Sequence, residues 1–259
     1  MPDLQLQHIG FQYPTGFSLQ QIDLQIPEAS ILALIGPNGS GKTTLLQLLT
    51  GRLCPQTGGI FLDGRPLEDY TPRERAQRIA VISSEQYFQF PFPVEEVVAM
   101  GRFPFLHRFQ PMTDRDWEVV EESMQLTETQ PFRHRSISNL SSGERQLVLI
   151  ARAIAQQPTI LMLDEPNSHL DIGHQITIFK LLRSLNERHS MSVIMVLHDL
   201  TAAAAFSDTV ALLNQGSLIQ CGTPKEVITE ENIRTVYGAR VRVRPSPEEG
   251  FPQVSFGRQ

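Results

Sequence analysis

The sequence predicts an α/β fold, a doubly wound parallel-sheet core with an N-terminal antiparallel β subdomain and an inserted α-helical subdomain. Three observations predict it. Ile31–Ile35, Ile160–Leu163 and Val193–Leu197 are short continuous apolar runs, the pattern of strands buried on both faces of a parallel sheet. Helical patterns alternate with them: Lys42–Arg52 turns Leu45, Leu46, Leu48 and Leu49 inward, and further helices open near Ser141 and Asp171. Residues 90–150 hold no buried-strand run and interrupt that rhythm, so they form the helical insertion.

The elements follow in order. Residues 3–9 and 17–26 alternate polar with apolar (Leu4, Leu6; Leu19, Ile22, Leu24, Ile26), the period of half-exposed antiparallel strands. Ile31–Ile35 runs into glycine and then into the helix from Lys42, after which Cys54, beside Pro55, reads as a packing residue. Ile79–Ile82 is a further strand. The insertion opens on the Pro/Phe-rich stretch Phe90–Pro93 and passes through Val94–Gly101 and Phe103–Pro111. A helix then starts with Thr113 as N-cap and Asp116 at the third helical position. Thr223-Pro224-Lys225-Glu226 combines a cap, Pro at the first helical position and an acid at the third, so another helix starts there. Arg240–Arg244 alternates Arg with Val, as an exposed edge strand does, and no internal repeat or low-complexity segment is present.

Composition narrows the class. With 259 residues the chain is long enough for one large domain or two small ones, and 41% hydrophobic with 19% charged residues is ordinary for a globular protein. A net charge of −6 argues against a dedicated nucleic-acid partner. Two cysteines, Cys54 and Cys221, are too few for a disulfide framework. Met1-Pro2-Asp3-Leu4-Gln5 carries no basic or apolar leader, so no signal peptide is expected. No run approaches the roughly 18 apolar residues that span a bilayer.

Three motifs carry chemistry. Gly36-Pro37-Asn38-Gly39-Ser40-Gly41-Lys42-Thr43 fits G-x-x-x-x-G-K-[ST] between a buried strand and a helix. Glycines let backbone N–H groups converge on phosphate oxygens and the helix N-terminus favours an anion. Lys42 then reaches the β/γ-phosphates and the Thr43 hydroxyl ligates Mg²⁺. Ile160–Leu163 ends in Asp164-Glu165-Pro166, which puts two carboxylates at the carboxyl end of a buried strand, one for Mg²⁺ and one for an attacking water. Leu140-Ser141-Ser142-Gly143-Glu144 is, read plainly, a capping box of Ser141 with Glu144. Capping alone does not predict its place about 20 residues before Asp164-Glu165.

In this ordered set the chain resembles the ATP-binding cassette (ABC) ATPases, over nearly its whole length. Walker A corresponds to Gly36–Thr43, the signature to Leu140–Glu144, Walker B to Ile160–Glu165, the D-loop to Ser168-His169-Leu170-Asp171 and the switch histidine to His198. The signature departs from the usual pattern at Ser142 and Glu144 but retains Gly143. The resemblance implies a P-loop (RecA-like) core in a single ATPase domain over 1–259, with the core in 1–88 and 153–259 and a helical signature subdomain in 89–152. It implies Glu165, His198 and Lys42 as catalytic residues. ATP contacts are implied at Tyr13, which stacks on adenine, at Gly36, Pro37, Asn38, Gly39, Ser40, Gly41, Lys42, Thr43 and Thr44, and at Ser141, Gly143 and Asp164. The Q-loop glutamine shortly after Ile79–Ile82 is Gln86, with Ser84 or a water as the alternative. Thr43, Gln86 and Asp164 are the implied Mg²⁺ ligands. For His198 the plainer alternative is a helix start shared with Asp199.

The resemblance further implies a head-to-tail homodimer with ATP held between Gly36–Thr43 of one copy and Ser141–Gly143 of the other. It implies a separate transmembrane permease, an extracytoplasmic substrate-binding protein, no nucleic acid, and a peripheral place at the cytoplasmic face of the inner membrane. Tyr87, Phe88, Phe90, Phe92, Phe103, Phe105 and Phe109 lack core periodicity and read as an exposed groove, so the permease is expected to dock near 87–109. Val94–Arg102, and Val236-Tyr237-Gly238 followed by Val241-Arg242-Val243, resemble the ferric-siderophore, haem and cobalamin importers of the family. A ferric chelate is the expected cargo, haem or cobalamin the alternative, and an exporter or a non-transport cassette the remaining readings. His8, His107, His134 and His189 lack metal-ligand spacing, and Arg133-His134-Arg135 reads as a solvated loop.

Overall fold

The computed structural model describes residues 4–83, 90–168 and 170–256. In chain order the elements are β1 (Leu4–Gln12), β2 (Ser18–Ile26), β3 (Ile31–Ile35), α1 (Lys42–Leu49), β4 (Thr57–Leu62), β5 (Arg65–Pro66), α2 (Pro72–Arg78), β6 (Ile79–Ile82), α3 (Val94–Ala99), α4 (Asp114–Leu126), α5 (Ser142–Ala155), β7 (Ile160–Asp164), α6 (Ile172–His189), β8 (Ser192–Val196), α7 (Leu200–Phe206), β9 (Thr209–Asn214), β10 (Ser217–Gly222), α8 (Pro224–Val227), α9 (Glu230–Tyr237), β11 (Val241–Pro245) and β12 (Pro252–Phe256). They fall into two compact units, one from Met1–Asp69 with Ser192–Gln259 and one from Tyr70–Met191.

The first unit holds an antiparallel sheet of order β2-β1-β4-β5. Period-two alternation buries Leu4, Leu6, Ile22, Leu24 and Ile26 on one face, as the pattern predicts. The unit's other strands run in the order β10-β9-β3-β8. There β3 is parallel to β8, with Leu34 opposite Val196, and parallel to β9, with Ile35 opposite Leu212. All five residues of β3 and of β8 are buried, which is why both read as unbroken apolar runs. The Arg240–Arg244 alternation is one strand of the antiparallel hairpin β11–β12. Two expectations are corrected here. Helix α1 stops at Leu49, three residues before Arg52, where Thr50 caps it. Cys54 beyond it is exposed, because the chain there has already left the helix.

The second unit holds the parallel pair β6–β7, with Val81 opposite Met162. Its helical insertion is built around Val94, Val97 and Val98 of α3, Val119, Val120 and Met124 of α4, and Val148 and Ala151 of α5. The start of α4 is fixed as predicted: the Thr113 hydroxyl accepts from the Asp116 N–H, and the Asp116 carboxylate accepts from the Thr113 N–H. A 3₁₀ segment, Met100–Phe105, follows α3 and lies close on α5. At Gly101 a side chain would collide with the Arg152 carbonyl and stand 2.9 Å from Ala155 Cβ. Three side chains grip this segment. Arg102 is buried and bonds Asp116, the Ala155 carbonyl and Gln157, while Arg73 and Gln77 of α2 donate to the Pro104 carbonyl.

Candidate functional site

In the first unit the phosphate loop leaves the carboxyl end of β3 and enters α1. Gly36, Gly39 and Gly41 all have positive φ (150°, 75° and 109°), a region that other residues adopt only at a cost. At Gly36 the demand is also steric, since a Cβ there would collide with the Leu213 carbonyl and stand 2.7 Å from Ser40 Oγ. Lys42 is buried, and its ammonium donates to the Gly36 and Pro37 carbonyls at 2.8 and 3.0 Å. The cation is thereby curled over the cradle of backbone amides. The Ser40 hydroxyl is buried without a protein partner among the described residues. A glycine cradle, a buried ammonium and an orphaned hydroxyl suit a polyphosphate chain. Pro37, Asn38, Thr43 and Thr44 complete the loop and the first turn of α1.

Two more predicted residues share this unit. The Leu197 N–H bonds the Leu34 carbonyl. His198 therefore leaves β8 at the same edge, beside the strand that feeds the phosphate loop, with its side chain exposed. Asp199 is the residue that caps α7, accepting from the Thr201 and Ala202 N–H groups. The capping role thus belongs to Asp199. Tyr13 stands in the β1–β2 turn, its ring edge-on to Phe11 at 4.8 Å and its hydroxyl donating to Gln47 of α1 at 3.2 Å. Tyr237, at the end of α9, has a site contact that sequence reading missed. Its hydroxyl takes a hydrogen bond from the Gly36 backbone, and burial pushes its pKa up to about 12, with that bond opposing the rise. No local pattern announces a tyrosine two hundred residues from the loop it touches.

In the second unit Asp164 ends β7 and Glu165 follows it with φ 53°. That left-handed backbone is uncommon for a glutamate and of the kind that collects at functional sites. It swings the carboxylate off the strand, and the Ser168 hydroxyl donates to Glu165 Oε2 at 2.9 Å. The signature turn is built as its capping box predicts. Ser141 Oγ accepts from the Glu144 N–H and Glu144 Oε2 from the Ser141 N–H. The Ser141 N–H first, and then the Ser141 hydroxyl, hold the Glu144 carboxyl below the usual range, with Arg135 adding to them. Glu144 in place of glutamine is accordingly a capping residue. Gly143 is buried at the second position of α5 and Ser142 is exposed.

The structure therefore brings Tyr13, Gly36–Thr44 and His198 together in one unit, and Ser141, Gly143, Asp164 and Glu165 in the other. Gln86 and Ser84, with Tyr87 and Phe88, lie outside the described residues. The aromatic stretch divides. Phe90, Phe103 and Phe109 are exposed, but Phe92 packs on the insertion's core and Phe105 lies under the Arg102 guanidinium at 4.0 Å. The expectation of one continuous exposed groove is corrected to that extent. Arg133-His134-Arg135 is a surface stretch, as expected, with His134 and Arg135 exposed; Arg133 and His134 lie against Glu95, and Arg135 against Glu144. Among the described residues no helix is long and apolar enough to cross a membrane.

Comparison with known proteins agrees with this geometry. The family model for ABC transporters matches residues 19–168. Over 251 residues the chain is 38% identical to the hemin import ATP-binding protein HmuV of Nocardia farcinica, covering 97% of this chain and 86% of that protein. Over 235 residues it is 36% identical to the ferric enterobactin transport ATP-binding protein FepC of Escherichia coli, covering 91% and 87%. A chain from an inward-facing structure of a metal-chelate type ABC transporter superposes with a TM-score of 0.88 at 28% identity, covering 100% of this chain and 99% of that one. A dimeric bacterial ABC transporter cassette superposes with a TM-score of 0.73 at 26% identity, over 85% and 98%.

Proposed function

The chain belongs to the ABC transporter family, as an import ATPase of its siderophore and haem group, and we propose that the cargo it drives is a ferric siderophore. It binds and hydrolyses ATP, and the phosphate loop carries that reading: a buried Lys42 held over three positive-φ glycines. Lys42 and the loop amides neutralise the phosphates, Glu165 polarises the attacking water and His198 holds the γ-phosphate. Catalysis of this kind is positioning and electrostatic stabilisation. Thr43 and Asp164 offer the hard oxygen donors that suit Mg²⁺, with Gln86 as a third ligand, and the ion supplies charge neutralisation at the phosphates. Tyr13 receives adenine, and its bond to Gln47 keeps the ring against the helix that follows the loop.

Cassettes of this family dimerise and pair with a permease. In this chain the head-to-tail homodimer holds ATP between the phosphate loop of one copy and Ser141 and Gly143 of the other. Residues 87–109 receive the permease, on a segment gripped by Arg73, Gln77 and Arg102 that leaves Phe103 exposed. An extracytoplasmic protein delivers the cargo, and the ATPase sits at the cytoplasmic face of the inner membrane. The siderophore reading is supported by likeness to the ferric enterobactin transport subunit and to the metal-chelate type transporter. Haem is the second reading, favoured by the 38% identity to the hemin import protein. The test is uptake of labelled ferric siderophore, haem and cobalamin in a strain lacking this chain, restored with the wild type or Glu165→Gln. Siderophore uptake restored by the wild type alone is the expected result. Unchanged siderophore uptake with lost haem uptake gives the cargo to the second reading.

A further inference from the structure

His174 has no part in the ATP chemistry described above, yet it touches two of that chemistry's motifs. It is the third residue of α6, whose N-cap is Asp171. The Asp171 carboxylate takes both of its donors: Oδ1 accepts the His174 N–H at 3.0 Å and Oδ2 lies 2.6 Å from His174 Nδ1. The cap therefore fixes the ring as well as the helix, and Nδ1–H is the donor of a charge-assisted bond. So held, the ring lies on the signature turn. A Cβ built at Gly143 would fall onto His174 Cδ2 and Cγ and stand 2.6 Å from Nε2, and these ring atoms are its three nearest neighbours. A free surface side chain could swing away from such a collision. This one can do so only by giving up its bond to Asp171.

We propose that His174 is a positioning residue: its ring, clamped by the D-loop cap Asp171, sets where the N-terminus of α5 stands, and residue 143 is glycine because the imidazole fills the place of a side chain. The inference rests on the reading of Ser141 and Gly143 as the surface that meets ATP in the dimer. It adds that the D-loop and the signature of one copy move as one piece, joined by the Asp171–His174–Gly143 contact. A ring that merely filled space would contribute to the stability of the second unit and to nothing else.

The experiment compares Glu165→Gln alone with the same protein carrying Gly143→Ala, His174→Ala, both, or His174→Asn. Each is followed by thermal melting, by ATP binding to the monomer and by Mg²⁺–ATP-driven dimerisation in analytical ultracentrifugation. His174→Asn keeps an N–H donor for Asp171 and guards against a folding defect. The expected result is monomer binding of ATP unchanged throughout, with dimerisation weakened about tenfold by His174→Ala and by His174→Asn. Gly143→Ala is expected to lose more, in melting as well as in dimerisation, and the double variant to return to the level of His174→Ala, because the collision is gone. Multiplying losses in the double variant would overturn the proposal, as would parental dimerisation in both His174 variants. A Glu165→Gln parent that fails to dimerise with ATP would instead overturn the reading of the signature, while the melts of the five proteins still decide whether the ring and Gly143 compete for one place.

Discussion

Replacing Arg102 by Met tests how the insertion holds the segment proposed to meet the permease. The guanidinium is buried and bonds Asp116 Oδ1 at 3.0 Å, the Ala155 carbonyl at 2.8 Å and Gln157 Oε1 at 3.0 Å, over the Phe105 ring. Methionine keeps much of the volume but none of the bonds. Breaking one side of a buried ion pair costs about 3–5 kcal/mol, because the partner charge stays behind. Asp116 Oδ2 still accepts from the Thr113 N–H and hydroxyl, which offsets part of that loss. The orphaned Ala155 carbonyl adds about 1 kcal/mol, so about 4 kcal/mol is expected. Asp116→Asn alone strands the guanidinium and costs about 3 kcal/mol. The double variant removes both charges and is expected to lose about 4 kcal/mol, leaving a coupling of about 3 kcal/mol. Urea unfolding at neutral pH, with hydrogen exchange at α4 and α5 to localise the loss, measures each. The acid limb gives a second reading. The Thr113 hydroxyl and N–H, with Arg102, hold the Asp116 carboxyl below its usual range. Its stabilisation is therefore complete above the unfolded value near ~3.9 and vanishes as pH falls through the lower native one. The gap between wild type and Arg102→Met should narrow in that window. Single losses that simply add in the double variant would refute the pair as the anchor.

Three further outcomes follow from the site. Glu165→Gln should retain ATP binding, lose hydrolysis by a factor on the order of 10²–10⁴ and accumulate ATP-bound dimer; turnover at the wild-type rate would remove Glu165 from its role. Tyr13→Ala should weaken ATP about tenfold and bare triphosphate hardly at all, measured by calorimetry, whereas equal losses would refute adenine stacking. Glu144→Gln should flatten the acid limb of thermal stability. The carboxyl is lowered by Ser141, so its contribution is present above about pH 4.3 and lost as pH falls through the native value. An unchanged limb would mean that the Glu144 cap does not contribute to folding.

What was legible in the sequence was what local chemistry determines. Glycines at 36, 39 and 41, caps at Thr113, Ser141 and Asp171, and unbroken apolar strands at β3, β7 and β8 each state their own backbone requirement within a few residues. Two of the strands that went unread hide that requirement. β4 opens Thr57-Gly58-Gly59, and two glycines mask the strand that pairs with β1, while β12 needs β11 to exist at all. The site divides along the same line. That a phosphate loop is present follows from its own eight residues, but that Tyr237 steadies Gly36, or that Arg73 and Arg102 grip Met100–Phe105, depends on chain segments far away in sequence. Gly143 shows why the distinction matters for function. Its motif explains the glycine by the phosphate that must approach it, and the structure adds an imidazole from the next helix already lying where a side chain would go. A change at His174 acts on the second demand alone, and pairing it with Gly143→Ala shows how much of the cost at residue 143 comes from the ring.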